Sequence, residues 1–251
     1  MKTFKLLLIA IPLCFILTAC HNDERSSSAP QPLTTVPVTT KSTESSAVND
    51  CVTTAREETF ICTDKNKNTV ETVYRIPALK FDTPDALAIN GDIQKQFSEA
   101  FSAAKEAESG NKYPAYDSID YKAYVNDDIV SIIITAEDSG HSLSYSVFNY
   151  NKTTGKRLGN KELLDYLQRD YDNTFSDLKQ ALEDDYTSKF KYENFPDDYY
   201  YQMELTVGDE ALQKSQLFLN KQAERYAVCT EHASVGSGEF QVLISLTESN
   251  S

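Results

Sequence analysis

Cys229 and His232 bring a thiol and an imidazole within three positions of each other. A nucleophilic pair built from them needs an accessible thiol and a third group that orients the ring, and spacing supplies neither, so Cys229 reads as a buried structural cysteine. His21 and His141, the latter in a Gly-His-Ser turn, complete the three histidines of the chain. The sequence contains no Gly-x-Ser-x-Gly elbow, phosphate loop or His-Glu-x-x-His zinc helix. Asp64-Lys65-Asn66-Lys67-Asn68 imitates the opening of a calcium loop, but Thr69 stands where glycine is required and Arg75 where the bidentate glutamate belongs, so it reads as a polar hairpin turn. Asp184-Asp185 and Asp197-Asp198 are adjacent carboxylates that point apart and read as solvated rather than as a glycosidase pair. The expectation from these residues is a protein without catalysis, metal or cofactor.

Near the N-terminus, Lys2 and Lys5 precede an apolar run from Leu6 to Leu17 that is too short for a comfortable membrane span and ends in Leu17-Thr18-Ala19-Cys20. That ending resembles the lipobox of bacterial lipoproteins. The resemblance implies cleavage after Ala19, with residues 1–19 as signal peptide, and acylation of Cys20 as the first mature residue. Acyl tails at roughly 0.8 kcal/mol per buried methylene would hold the chain to the membrane as an anchor rather than a span. His21 in place of an aspartate after Cys20 favours a Gram-negative outer membrane, periplasmic or surface facing, over other envelope destinations. Cys51, Cys62 and Cys229 then sit in an oxidising compartment. The eleven-residue separation of Cys51 and Cys62 suits a local disulfide worth roughly 2 to 3 kcal/mol. Pairing of Cys229 with either of them is the alternative.

The formal charge is −14, and removal of residues 1–19, which carry Lys2 and Lys5 and no acidic residue, takes it to −16. Such a chain repels nucleic acid and anionic headgroups and favours a cationic partner, although acidity by itself also serves solubility.

The elements that must position any site begin after a tether. Residues 20–50 carry the acylated cysteine and a Ser/Thr/Pro-rich stretch with Pro30, Pro32 and Pro37 and no apolar period, a flexible coil of about 30 Å root-mean-square span. Residues 51–251 have the length of one domain. Residues 56–63 and 69–80 read as a hairpin. Thr83-Pro84 opens a helix whose Ile89, Ile93, Phe97 and Phe101 recur every four residues. Residues 116–125, 129–136 and 143–150 read as consecutive antiparallel strands, turned at Asn126-Asp127-Asp128 and Asp138-Ser139-Gly140. Leu164, Leu167, Tyr171, Phe175, Leu178 and Leu182 predict a second long helix from an N-cap at Asn160. Residues 199–207, 216–220, 225–230 and 239–247 read as a last group of β segments. The order predicts an α+β fold of antiparallel sheet packed with two long helices.

Three stretches resemble the extracytoplasmic domain shared by the envelope deacetylase PdaC and the lysozyme-sensing anti-sigma factor RsiV. They are Ile76-Pro77-Ala78-Leu79 with Ala88 to Ile93, Tyr121 to Ile132, and Phe148-Asn149-Tyr150 through Thr154-Gly155-Lys156-Arg157-Leu158 to Leu164. The resemblance covers about Tyr74 to Leu167 and fades after residue 185. It implies an envelope-facing recognition module with lysozyme or cell-wall glycan as ligand. Neither deacetylase metal ligands nor another reactive set accompanies it. The third stretch is structural on its own terms, because Gly155 can take a positive φ at the turn and the leucines anchor the helix that follows.

Exposed tyrosines beside carboxylates suit a basic partner, since they add contact area at low entropy cost while the acids steer association. Asp127, Asp128, Glu137, Asp138, Tyr199, Tyr200 and Tyr201 are therefore the expected partner surface. The expected function is a lipid-anchored, non-enzymatic binding module; an accessory to, or member of, the cell-wall hydrolases and deacetylases is the alternative, as is a purely structural envelope protein.

Overall fold

In the computed structural model, which describes residues 46–63, 68–110, 113–190, 196–233 and 238–246, a short helix, α1 (Ser46–Cys51), leads into β1 (Val52–Thr63). β1 pairs antiparallel with β2 (Thr69–Leu79) from Val52 opposite Leu79 to Thr63 opposite Thr69, with a bulge between Thr54 and Arg56. The tip with Asp64 to Lys67, and so the calcium-like stretch, lies outside the described residues. α2 (Pro84–Glu108) follows, with Thr83 Oγ1 accepting from the Ala86 N–H at 3.3 Å and Pro84 in the first turn. Ile89, Ile93, Phe97 and Phe101 are all buried, as their spacing requires of a helix lying on a sheet.

α2 returns the chain to the end where β2 began. The next strand, β3 (Ser118–Asn126), therefore runs parallel to β2, through Val73 opposite Ser118 and Tyr74 opposite Ile119. The first sheet is thus mixed, which corrects the expectation of antiparallel pairing throughout. β4 (Ile129–Glu137), β5 (Leu143–Asn151) and the short β6 (Lys156–Leu158) extend it antiparallel to give the order β1-β2-β3-β4-β5-β6.

The expected second long helix is divided. α3 (Asn160–Tyr166) ends with Gln168 at φ 53° and a bond from the Arg169 N–H to the Leu164 carbonyl, and α4 (Tyr171–Lys189) starts anew with Asp170 Oδ1 accepting from the Asn173 N–H. The leucine period continues across the break because both helices face the same layer. Gly159, not Asn160, precedes the first turn, and Glu162 reaches back to its N–H at 3.0 Å. Residues 199–207, expected as a strand, lie in α5 (Pro196–Val207), where Pro196 and then Asp197 and Asp198 in the first turn make a helix start that outweighs the β preference of three tyrosines. α6 (Asp209–Lys214) completes the helices, and β7 (Gln216–Leu219), β8 (Arg225–His232) and β9 (Glu239–Ser245) form an antiparallel sheet in the order β7-β8-β9.

The fold is α+β, in four layers. Along β4 every residue from Ile129 to Ile134 is buried because both faces of that strand are covered. Val130, Ile132, Ile134 and Ala136 join the core under α2, while Ile133 packs on Phe218 and Val228 of the second sheet. Behind that sheet, Leu178 and Leu182 of α4, Val207 of α5 and Leu212 of α6 pack with Leu217, Ala227 and Cys229. This layering buries the apolar side of every long element, at about 25 cal/mol per Å² of area removed from water.

Candidate functional site

The two sheets meet through polar side chains rather than through a shared ladder. β7 pairs with β8 along one edge, and its other edge is met by the side chains of the first sheet and α3. Asn160 Oδ1 accepts from the Leu217 N–H at 2.9 Å and its amide donates to the Ser215 carbonyl at 2.7 Å. Asn149 donates to the Leu217 carbonyl at 2.7 Å, and Ser131 Oγ accepts from the Leu219 N–H at 3.2 Å. The free edge of β5 is met in the same way: Gln241 Oε1 accepts from the Tyr145 N–H and Gln216 Oε1 from the Val147 N–H. An edge covered by side chains leaves no template for strand addition.

Beyond this seam the sheets part, and a cleft of about 380 Å³ opens between them. One wall is Tyr116, Asp138, Ser142, Leu143 and Ser144; the other is Thr230, Glu239, Phe240 and Gln241. Asp138 shapes its own rim: Oδ1 accepts from the Gly140 N–H at 2.7 Å and the Ser142 N–H at 3.0 Å, an Asx turn that holds His141 at φ 64°. His141 Nδ1 lies 2.8 Å from Glu137 Oε1, and that hydrogen bond with its charge raises the imidazole above its ordinary value. Two carboxylates, two aromatic rings and several hydroxyl and amide groups therefore face one opening. Such a set receives an ammonium or guanidinium group, or a sugar ring, and contains no nucleophile with a base beside it.

The expected partner surface is distributed over three places. Asp138 lines the cleft and Glu137 ends β4 beside it, while Asp127 and Asp128 stand at the other end of β4, about 27 Å away for nine strand residues. Asp128 is engaged there, accepting from Thr153 Oγ1 at 2.6 Å, and Asp127 takes φ 48° in the turn. On α5, Tyr199 is buried against Tyr186 with ring centroids 5.3 Å apart, whereas Tyr200 and Tyr201 are each 61% exposed. Helical geometry, instead of strand alternation, decides which tyrosine faces in.

The cysteine expectation requires correction. Cys51 ends α1 and Cys62 lies near the far end of β1, so an extended strand holds them about 36 Å apart and no local disulfide can close. Cys51, Cys62 and Cys229 are all free and buried. Burial, followed by the charges of Glu231 and Asp185, pushes the Cys229 thiol up to about 12. His232 lies three residues on along β8 and points to the opposite face, its N–H donating to Thr206 Oγ1. No nucleophilic pair exists at this position.

A charged group that motif reasoning passed over lies in the second sheet. Glu231 is 0% exposed, on the same face of β8 as Ala227 and Cys229, and Lys189 Nζ bridges its Oε2 at 2.9 Å and Asp185 Oδ2 at 2.5 Å. The signal was in the alternation: Glu231 falls in phase with two inward residues of its strand. Asp184 and Asp185 do point apart, yet Asp185 turns inward to this lysine while Asp184 accepts from Gln180. Glu231 is shut away from solvent, while Asp185 is 31% exposed.

No protein-family model and no curated protein matches this chain. Among the described residues, no helix is long and apolar enough to cross a membrane, and no group of three or more His, Cys, Asp or Glu is arranged to hold a metal ion.

Proposed function

We propose that this protein is a lipid-anchored envelope module, tethered through Cys20, that binds a cationic macromolecule by taking its basic side chains into the cleft between the two sheets. The observation that carries this reading is the convergence of Asp138 and Glu239 with Tyr116 and Phe240 around one opening. Carboxylates beside an aromatic face suit lysine and arginine, and the acidic charge of the chain steers such a partner toward them. A basic lysozyme-like protein fits this chemistry and agrees with the domain resemblance. Cell-wall glycan is a second reading, favoured by Ser142, Ser144, Thr230 and Gln241, whose hydroxyl and amide groups are those that hydrogen-bond sugars. The chain acts by binding rather than by turnover, in a Gram-negative envelope with the domain held off the outer membrane by its tether.

Calorimetric titration of residues 20–251, with Cys20→Ser, against a c-type lysozyme and against soluble peptidoglycan fragments tests the proposal. Saturable lysozyme binding that persists at raised salt and weakens about tenfold or more in Glu239→Lys supports it. Binding to glycan alone, lost in Phe240→Ala, favours the second reading. Release of acetate or reducing ends from the glycan would replace both with the hydrolase or deacetylase alternative, and silence toward both ligands would overturn the proposal.

A further inference from the structure

The ion cluster around the buried Glu231 is built as a balance rather than as a finished salt bridge. Lys189 is the last residue of α4 and Glu231 lies on β8, and the single ammonium of Lys189 serves both Glu231 Oε2 and Asp185 Oδ2. Glu231 Oε1 and the Tyr186 hydroxyl are both buried without a hydrogen-bond partner among the described residues. Glu231 is fully buried while Lys189 and Asp185 are 36% and 31% exposed, and an ionised carboxylate oxygen buried without a partner carries the cost of a lost hydrogen bond to a charged group. A protonated Glu231 removes the difficulty, because its O–H can donate to the Asp185 carboxylate, leaving one negative charge for one ammonium.

The groups around this cluster favour the proton. Asp185 and Lys189 face Glu231 from α4 and Cys229 lies beside it on β8, while Tyr186 of α4 stands between Glu231 and the Asp198 and Tyr199 side chains of α5. Lys189 is the one cation among these named groups, and Asp185 and Asp198 are the two carboxylates besides Glu231. Lys189 also lies 5.8 Å from the centroid of the Phe240 ring, which is 6.4 Å from Phe190 and lines the cleft.

We propose that Glu231, Asp185 and Lys189 form a proton-controlled latch between the end of α4 and the second sheet. With Glu231 protonated, the last turn of α4 is held on β8; when that proton leaves to solvent, two carboxylates compete for one ammonium and the packing of Phe190 and Phe240 loosens. Burial is the largest influence on Glu231; the Lys189 ammonium opposes it next, the neighbouring Asp185 carboxylate reinforces it, and the balance pushes the Glu231 carboxyl up to about 7. A carboxyl raised in the folded state binds more protons there than in the unfolded chain, so its ionisation lowers stability as pH rises from the ordinary carboxylate value through the raised one. This is opposite in sign to an exposed salt-bridged acid.

The test uses the chain from its anchoring residue onward, residues 20–251 with Cys20→Ser. Carboxyl-carbon and aromatic-ring NMR spectra are followed from about pH 5 to 8, where ordinary carboxylates are already ionised. The expected result is a Glu231 titration near neutrality, Phe240 ring signals shifting with the same midpoint, and a melting temperature that falls more steeply over this range in the wild type than in Glu231→Gln, where the His141–Glu137 tie still contributes. A Glu231 midpoint in the ordinary carboxylate range, or Phe240 signals that ignore it, would overturn the latch. If Glu231→Gln does not fold, the two wild-type titrations decide the matter alone.

Discussion

Ser131 Oγ donates to Asn149 Oδ1 at 2.7 Å, across two adjacent strands and fully within the core. The same serine oxygen accepts from the Leu219 N–H, and the amide of the same asparagine donates to the Leu217 carbonyl. The pair thus pins β7 against the face of the first sheet by satisfying backbone groups that no strand reaches. Ser131→Ala leaves the Leu219 N–H without its acceptor, and Asn149→Ala leaves the Leu217 carbonyl bare. Each is expected to cost about 1–3 kcal/mol in urea unfolding, and the double variant less than their sum. Strictly additive losses would mean that the two side chains act independently.

Gly155 has φ +71°, and a Cβ there would lie 2.9 Å from Thr83 Cγ2. Thr83 is the N-cap of α2 and its hydroxyl is 2.9 Å from the Tyr150 hydroxyl, so it has little freedom to retreat. Gly155→Ala is expected to destabilise the domain by about 1–2 kcal/mol from backbone strain alone. Because the added methyl presses on the cap, Gly155→Ala with Thr83→Ser, which removes Cγ2 and keeps the hydroxyl, should recover part of the loss. Equal stability of Gly155→Ala and wild type in denaturant melts would remove the argument.

The three cysteines should behave as core residues and not as a redox site. Burial raises all three thiols above the ordinary cysteine value, with Cys62 Sγ further engaged with the Ala104 carbonyl at 3.9 Å. Iodoacetamide at pH 8 is expected to leave Cys51, Cys62 and Cys229 unmodified in the native state and to alkylate all three in denaturant, as read by mass spectrometry. A reducing agent should leave the melting temperature unchanged, whereas a fall would mean that two of the three are paired and overturn the reading of free thiols.

Glu137 raises His141 through a hydrogen bond and its charge, and the folded imidazole therefore holds its proton to higher pH than the unfolded one. The stabilising tie is present below the unfolded value and disappears as pH rises through the folded one. NMR titration of the ring should give a midpoint above the ordinary histidine value in the wild type, returning toward it in Glu137→Gln. An unchanged midpoint in that variant would assign the shift elsewhere.

The hairpin, α2, the meander from β3 to β5 and the strands of the second sheet were legible in the sequence because each is marked by a local period. Ile89, Ile93, Phe97 and Phe101 must share a helix face, and an unbroken run such as Ile129 to Ile134 must be covered twice. α5 departs from the strand expectation for a local reason too: three consecutive tyrosines carry β preference, and the opposing signal is only the proline and two aspartates that open the helix. The break between α3 and α4 was hidden because the leucine period runs through it, and only the capping side chain of Asp170 marks a new start.

What the sequence determined by itself is the alternation of elements, the α+β class, the acidic charge and the apolar faces, since these follow from neighbours a few positions apart. Tertiary structure alone decided which distant residues meet. It set Cys51 and Cys62 at opposite ends of one strand, split the acidic residues between the two ends of β4, brought Asp138 to face Glu239, and closed Lys189 over Glu231. The physical reason is that periodicity records which side of an element is buried, whereas the partner across the core depends on how layers stack and which edge each strand finds, and no local pattern encodes that.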